Sequence, residues 1–336
     1  MISGRMNRAF VVVAFIALIA TILPTATVAA AQDRSSDLRD AARRALAYLG
    51  TQQLADGSLL GSASVTEDYI LGATAAGRDP NTLVAPSGES VYDFLAANIA
   101  DATTNANRTG KLVQALVAGR RNPLNFAGTN VLALLEGRGG TAGGFYDPAT
   151  GGFGEPENAA FTSANAILGL VAARNPAFPV TRKAIAFLKG LQTTSGPGAG
   201  GWQADGVENT NATAMALMAL AAVRDHSADR AALAFLHTQQ DPATGGFAFT
   251  TLGPFGSTAS DPNSDALVIQ GLVAARQDPG SRTWSNANGN ALTDILTFQD
   301  PATGGFSFVR GTPPDAFTTS QIPAGLLKAP FPILPR

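Results

Sequence analysis

Apolar residues recur at helical spacing through most of this 336-residue chain, in two alternating kinds of segment. In Thr181–Gln192, residues Ala184, Phe187, Leu188 and Leu191 fall at i, i+3, i+4 and i+7, with Arg182, Lys183 and Lys189 on the opposite side. That spacing predicts a one-sided helix with a wet back. Leu38, Ala41, Ala42, Ala45 and Leu49, backed by Arg39, Asp40, Arg43 and Arg44, repeat the arrangement. Weaker versions lie near Val91–Ile99, Asn130–Leu135, Ala231–Gln240 and Ala291–Gln299.

Each of these segments is followed by a glycine-rich connection and then by a second segment with no polar face. Ala212–Val223 is the purest case, and Ile167–Ala173 and Ala266–Ala275 are nearly as apolar. A helix apolar all round belongs inside a larger fold. Gly72, Gly169, Gly271 and Gly325 within these inner segments allow close backbone approach, and Pro80, Pro123, Pro176, Pro279 and Pro330 stop them. Six such outer–inner pairs can be counted. A hairpin of this kind cannot bury its apolar helix alone, so the hairpins must stack, and six can close on themselves. The pattern predicts an all-α fold, an (α/α)6 toroid, with an open superhelix as the alternative.

The crest of the repeat is the heptapeptide Asp-Pro-Ala-Thr-Gly-Gly-Phe, found at Asp147–Phe153, Asp241–Phe247 and Asp300–Phe306. Pro in second place presets φ for a tight turn, the Gly pair permits positive φ, and the Phe can fold back onto the helices. A calcium loop needs several acidic oxygens close together, whereas this heptapeptide brings one.

Composition narrows the chemistry. Arg5 and Arg8, the apolar run Phe10–Leu23 and the small-residue stretch ending at Ala31 read as a secretory leader, residues 1–31, with the toroid and a short extended tail in 32–336. The expected location is therefore outside the cell, with no membrane span in the mature chain. The chain has no cysteine, which excludes disulfides and thiolate metal sites. Net charge is −2 and only 14% of residues are charged, so no nucleic-acid partner is expected. Small molecules, glycans and proteins are left as partners.

Phe187-Leu188, Gln192 and Gly200-Gly201-Trp202 are similar to the QW-type repeat of squalene and oxidosqualene cyclases. Phe235-Leu236, Gln240 and Gly245-Gly246-Phe247, and Ile295-Leu296, Gln299 and Gly304-Gly305-Phe306, follow the same pattern with Phe for Trp, and Tyr48-Leu49, Gln53 and Gly57 match in part. The layout resembles the terpenoid cyclase and protein prenyltransferase toroid superfamily. That resemblance implies an α/α barrel and an isoprenoid-like ligand. It also implies catalytic motifs that the chain lacks: the Asp-x-Asp-Asp acid, the Asp-Asp-x-x-Asp metal motif, and a Cys-containing zinc site. His226 and His237 are the two histidines and read as loop and helix-end residues. No metal and no cofactor is expected, and the catalytic residues are left unassigned.

Counting eleven residues back from the arginines that end the inner segments (Arg78, Arg120, Arg174, Arg224, Arg276) gives Glu67, Thr109, Ser163, Thr213 and Asp265, with Thr319 as the sixth. With Asp68 and Asp261 beside them, these residues form the candidate ligand-binding mouth at the inner-helix N-termini. Helix capping is the plain alternative for such residues. Other rim acids are Glu155, Glu157, Asp205, Glu208 and Asp315, and Arg108 and Arg310 are the cations in reach. The leading expectation is a secreted, non-catalytic binding toroid. The alternatives are a cyclase- or prenyltransferase-like enzyme with an atypical acid, or a carbohydrate-active enzyme that uses two rim carboxylates.

Overall fold

The computed structural model of the chain describes residues 23–138, 158–174, 179–254 and 256–335. The heptapeptide Asp147–Phe153, Glu155, Glu157, Pro176 and most of the leader lie outside the described residues. Outer helices are α1 (Leu23–Thr51), α3 (Val91–Ala97), α6 (Val131–Gly137), α8 (Pro179–Gly190), α10 (Asp229–Thr238) and α12 (Ala291–Asp294). Inner helices are α2 (Ala63–Ala75), α5 (Ala106–Ala118), α7 (Ala159–Ala172), α9 (Thr210–Ala222), α11 (Pro262–Ala274) and α13 (Ala316–Leu326). A short α4 (Ile99–Ala102) and a hairpin of β1 (Trp202–Ala204) and β2 (Val207–Asn209) sit in connections.

The inner helices pack in the order α2, α5, α7, α9, α11, α13, and α13 returns onto α2. The ring is closed, as the (α/α)6 pattern requires, and the open superhelix is excluded. Outer helices lie against its outside: α1 on α13 and α2, α6 on α5 and α7, α8 on α7, α10 on α9 and α12 on α11. The apolar stripe of the first outer segment does what its spacing predicts, with Leu38, Ala41, Ala42, Ala45 and Leu49 buried and Arg39, Asp40 and Arg43 exposed.

Two outer segments are shorter than expected. Ala291–Gln299 is helical only to Asp294 and then tightens into a 3-10 turn, Ile295–Phe298, where the Thr297 hydroxyl donates to Asp294 O at 2.7 Å. Val91–Ile99 ends at Ala97 because Asn98 Nδ2 turns back to donate to Phe94 O at 2.9 Å. The described helix α1 begins at Leu23, so the expected leader boundary after Ala31 falls within it.

Inner helices approach closely enough to need glycine at the crossings. A Cβ on Gly325 would lie 2.6 Å from Ala266 Cα, and one on Gly169 would lie 2.6 Å from Gly110 O. Between repeats the fastener is a glutamine. Gln192 Nε2 donates to Gly200 O in its own turn (3.0 Å) and to Ala228 O in the next repeat (3.3 Å), and Gln240 Nε2 donates to Gly245 O (2.9 Å) and Trp284 O (3.0 Å). Gln53 spans Gly57 O and Leu83 O in the same way. Gln299 closes the circle, donating to Gly304 O (2.8 Å) and to Ala41 O of the first outer helix (2.9 Å). The inner helices end in Schellman turns: Arg120, Arg174, Arg224 and Arg276 hold φ between 56° and 62° where glycine is usual, and Gly77 takes that place after α2.

Gly325→Val should lower unfolding free energy by about 1–3 kcal/mol or more, because the added carbons meet backbone that cannot yield, whereas Gly190→Ala, which meets nothing within 4 Å, should change it by less than about 1 kcal/mol; urea titration reads both. Gln299→Met should cost about 1 kcal/mol for each of the two carbonyls it leaves unpaired, and amide exchange should rise first in α1 and α13, where the ring is sealed.

Candidate functional site

Ser62, Asn105, Asn209, Asp261 and Asp315 are the N-caps of α2, α5, α9, α11 and α13, each accepting the backbone N–H three residues on. Asn158 holds the same place before α7 without a side-chain cap bond. Four residues beyond each cap stand Thr66, Thr109, Thr162, Thr213, Asp265 and Thr319, all fully buried. The threonines at these positions serve the connections. Thr213 Oγ1 donates to Asn209 O (2.8 Å) and accepts from Trp202 N (3.1 Å), and Thr319 Oγ1 donates to Asp315 O (2.6 Å) and accepts from Phe306 N (2.8 Å). Thr66 does the same for Leu59 N, at 3.0 Å. Thr109 Oγ1 donates to Asn105 O.

Two of the eight sequence candidates are therefore one residue off the repeat position. Glu67 was counted from Arg78, but the left-handed end residue of α2 is Gly77. Ser163 was counted along α7, which is 14 residues long where α5, α9 and α11 have 13. The repeat-equivalent residues are Thr66 and Thr162. The capping alternative also needs correction: among the eight only Asp261 is a cap, and the others lie inside their helices.

The inner ring encloses a lumen of about 220 Å³, to which all six inner helices contribute. One wall is polar: Ser64 and Asp68 from α2, Arg108 and Lys111 from α5, and Asn165 from α7. The facing wall is more apolar, with Met215 from α9, Leu267 from α11 and Phe317 from α13, and carries the neutral amides Gln270 from α11 and Gln321 from α13. Phe331, from the tail after α13, closes one end. It is held by Gln270 Nε2, which donates to Ala329 O at 2.7 Å, and by its own N–H, which donates to Met218 Sδ at 3.3 Å. Toward the inner-helix N-termini a cleft of about 330 Å³ adjoins the lumen, sharing Phe161, Phe317 and Gln321 with it. Its rim carries Asn158, Asn209, Asp205 and Asp261, together with Phe249 and Phe308. Phe308 and Phe317 are 53% and 56% exposed, an unusual display of aromatic surface at a cavity entrance.

Lys111 Nζ pairs with Asp68 Oδ1 at 2.7 Å and donates to Ser64 Oγ at 2.9 Å, and Arg108 pairs with Asp101 at 2.7 Å. Burial raises the Asp68 pKa against the opposing pull of Lys111. Beside this pair, Glu67 is buried with neither carboxylate oxygen hydrogen-bonded. Burial drives its pKa well above the ordinary glutamate range, with Lys111 opposing. Asp261 lines the cleft, and burial raises its pKa too, although it accepts from Ser264 N (2.8 Å) and Ser264 Oγ (2.7 Å).

Asp265 stands where the other five repeats carry threonine. Its Oδ1 accepts Phe247 N at 2.7 Å, as the threonines do for their turns. Its second oxygen has no threonine counterpart and is buried without a hydrogen-bond partner, as is Oδ2 of the neighbouring Asp294. Asp294 is in turn bound by Arg310 at 2.6 Å, which also reaches Ser260 Oγ and lies over the Phe298 ring. Burial first, and then the Asp294 charge, drive the Asp265 pKa well above the ordinary range.

Of the eight candidates, then, Asp68 lines the lumen and Asp261 the cleft. Glu67, Thr109, Ser163, Thr213, Asp265 and Thr319 lie in the layer behind. Sequence reasoning passed over Lys111, Asn165, Gln270, Met215 and the tail residue Phe331. Lys111 had a readable signal, a cation on an inner segment that is otherwise uncharged beyond its first turn. Among the described residues no group of three or more His, Asp or Glu side chains is placed to hold a metal, and no helix is long and apolar enough to cross a membrane. His226 pairs with Asp229 at 2.8 Å, and His237 stacks on Trp284 at 3.8 Å.

No protein-family model matches the sequence, and no curated protein does. Solved structures share the fold. A variant of MstE, a type II terpene cyclase from Scytonema, bound to its substrate geranylgeranyl dihydroxybenzoate, is similar at a TM-score of 0.59 and 15% identity, over 88% of this chain and 98% of that one. Apo MstE is similar at 0.56 and 17% identity with the same coverage. The chain has the α/α-toroid fold of terpenoid cyclases.

The Asp265 proton gives a pH signature. The fold binds this proton more tightly than the unfolded chain, whose aspartate titrates near 3.8, so its contribution to stability falls as pH rises above that value and stays lost above the raised folded pKa. Asp265→Asn keeps an acceptor for Phe247 N and needs no proton. Its stability relative to the parent chain should therefore increase between pH 4 and pH 8 in parallel urea titrations, and a flat difference would show that the fold does not raise the Asp265 pKa.

Proposed function

We propose that this chain binds one small, largely apolar molecule, isoprenoid-like in shape, in the lumen and cleft of the toroid. We further propose that residues 1–31 export it, so that it works outside the cell. The observation that carries the binding reading is the lumen itself. Six inner helices converge on a space with one mainly apolar wall, one polar wall whose charges are already paired, and an entrance where Phe308 and Phe317 are exposed. Cavities of this make-up, mostly apolar with a few placed polar groups, suit a small organic ligand. The fold adds a modest argument, since MstE, similar in fold, holds geranylgeranyl dihydroxybenzoate. At 15% identity that substrate does not transfer to this chain.

Binding is favoured over turnover because the acids are occupied. Asp68 is paired with Lys111, and Asp265 accepts from Phe247 N behind the cavity walls. One observation favours an enzyme: Asp261 is a cleft-lining carboxyl with a raised pKa, which is what a proton donor to an alkene requires.

Native mass spectrometry of the purified chain incubated with farnesol should show a single bound molecule, extractable unchanged. Met215→Trp, which fills the lumen from the apolar wall, should abolish it while the protein stays folded by circular dichroism. Retained binding in Met215→Trp would place the ligand elsewhere. A cyclised product that disappears in Asp261→Asn would replace the binding reading with the enzymatic one.

A further inference from the structure

A cation follows every inner helix: Arg78 after α2, Arg120 after α5, Arg174 after α7, Arg224 after α9, Arg276 after α11 and Lys328 after α13. We infer that these cations form a docking ring for an anionic lipid surface, at the end of the toroid opposite the cleft. The inference is independent of what the lumen holds. The inner-helix ends gather at one face: Asn81 Nδ2, after α2, donates to Gly119 O at the end of α5 (3.0 Å), and the last residues of α2 and α13 line one hollow. Lys328 pairs there with Asp278, in the connection after α11, at 3.5 Å. The helix starts gather at the other face, where Asn158, Asn209 and Asp261 rim the cleft. Six helices packed side by side at about 8–10 Å place their ends on a ring about 16–20 Å across.

Helix capping does not account for the ring. A cation in the last turn complements the helix dipole without backbone strain, yet none of the inner helices has one there. The cations stand beyond the last turn, where Arg120, Arg174, Arg224, Arg276 and Lys328 hold φ of 52–62°, a conformation that costs a side chain more than it costs glycine. Gly77 shows that the turn forms without a cation in that place. Arg174, Arg224 and Arg276 are exposed, and among the described residues their side chains bind no other group. The acids next to the ring in sequence are Asp79, Asp225 and Asp278. Asp225 is taken by Lys189 at 2.8 Å, Asp278 by Lys328, and Asp79 lies near Arg120 and Arg121. Positive charge is therefore left over on Arg174, Arg224 and Arg276, in a chain whose net charge is −2.

The centre of this face is apolar. The tail Ala329–Pro335 crosses it without a polar side chain, held to α11 through Ala329 O and to α9 through Phe331 N, and ends beside Arg78 and Arg120. Leu334 is 46% exposed in that tail. A cationic rim around an apolar centre matches an anionic bilayer surface, which attracts each basic side chain and takes an exposed apolar residue into its headgroup layer. A linear polyanion is served by a stripe of cations along its path, which a ring does not provide.

The full chain should sediment with mixed phosphatidylglycerol–phosphatidylcholine vesicles at about 0.1 M salt and not with phosphatidylcholine vesicles, and about 1 M salt, where the screening length falls to about 3 Å, should release it. The triple variant Arg174→Gly, Arg224→Gly, Arg276→Gly should weaken the vesicle affinity on the order of 100-fold, roughly fivefold for each cation. It should unfold at equal or higher urea than the parent, because glycine relieves the left-handed turns. The variant Arg174→Lys, Arg224→Lys, Arg276→Lys keeps the charges and should keep the affinity within about twofold. A folded parent chain that ignores the anionic vesicles, or a folded glycine variant that binds them as tightly as the parent, overturns the inference. Equal loss of affinity in the lysine variant would show that charge is not what binds, and overturns it too. Retention on dextran sulfate beads without retention on the vesicles would assign the ring to a soluble polyanion and overturn the lipid assignment.

Discussion

The toroid depends on a glutamine amide that holds two carbonyls at once. One carbonyl belongs to the glycine turn of its own repeat and the other to the outer layer of the next, so a local turn and a long-range contact are fixed by one side chain. The final instance joins Gln299 to Ala41 across 258 residues of sequence, and through it the sixth repeat finds the first. A closed ring has no free end to cap, which removes the constraint that limits open repeat arrays. Everything enclosed by the ring inherits its geometry from this closure.

The second constraint is packing between inner helices. Gly325 against Ala266 and Gly169 against Gly110 bring backbones so close that no side chain separates them. Close crossings narrow the ring, and the space left at its centre is small enough for a single aromatic ring from the tail, Phe331, to close one end. Most of the polar lining comes from α2, α5 and α7 and most of the apolar lining from α9, α11 and α13, with Phe161, Gln270 and Gln321 as exceptions. The asymmetry comes from sequence divergence among repeats whose backbones are nearly equivalent.

The architecture was legible because it repeats. Apolar all-round segments, the glycines within them and the arginines after them recur often enough to set the number of hairpins and the inner–outer order. Helix registration was less legible. An arginine and a glycine serve equally as the left-handed end residue, and α7 is one residue longer than α5, α9 and α11, so a count from the helix ends placed Glu67 and Ser163 where the repeat has Thr66 and Thr162. Which face of each inner helix meets the lumen was not readable at all, because these helices are apolar on every side and periodicity carries no direction. The tail was read as an extended appendage. Its role in closing the lumen depends on Gln270 and Met218, residues from two other repeats.

Asp265 shows how divergence within a repeat changes its chemistry. Threonine at this position satisfies the helix and the turn with one hydroxyl and leaves nothing over. Aspartate keeps the bond to the turn and adds a second oxygen that is buried and unpartnered, beside Asp294 and its partner Arg310, and burial raises the pKa of that carboxyl. Asp294 of α12 and Arg310 of the connection after it thus lie behind one substitution, in the repeat whose cap, Asp261, lines the cleft and whose Gln270 binds the tail. A repeat kept only for its scaffold has no use for that arrangement, since threonine does the structural work more simply in the others. The fifth repeat therefore departs most from the shared pattern, with Asp265, Asp294 and Arg310 grouped in the same repeat as the cleft-lining Asp261.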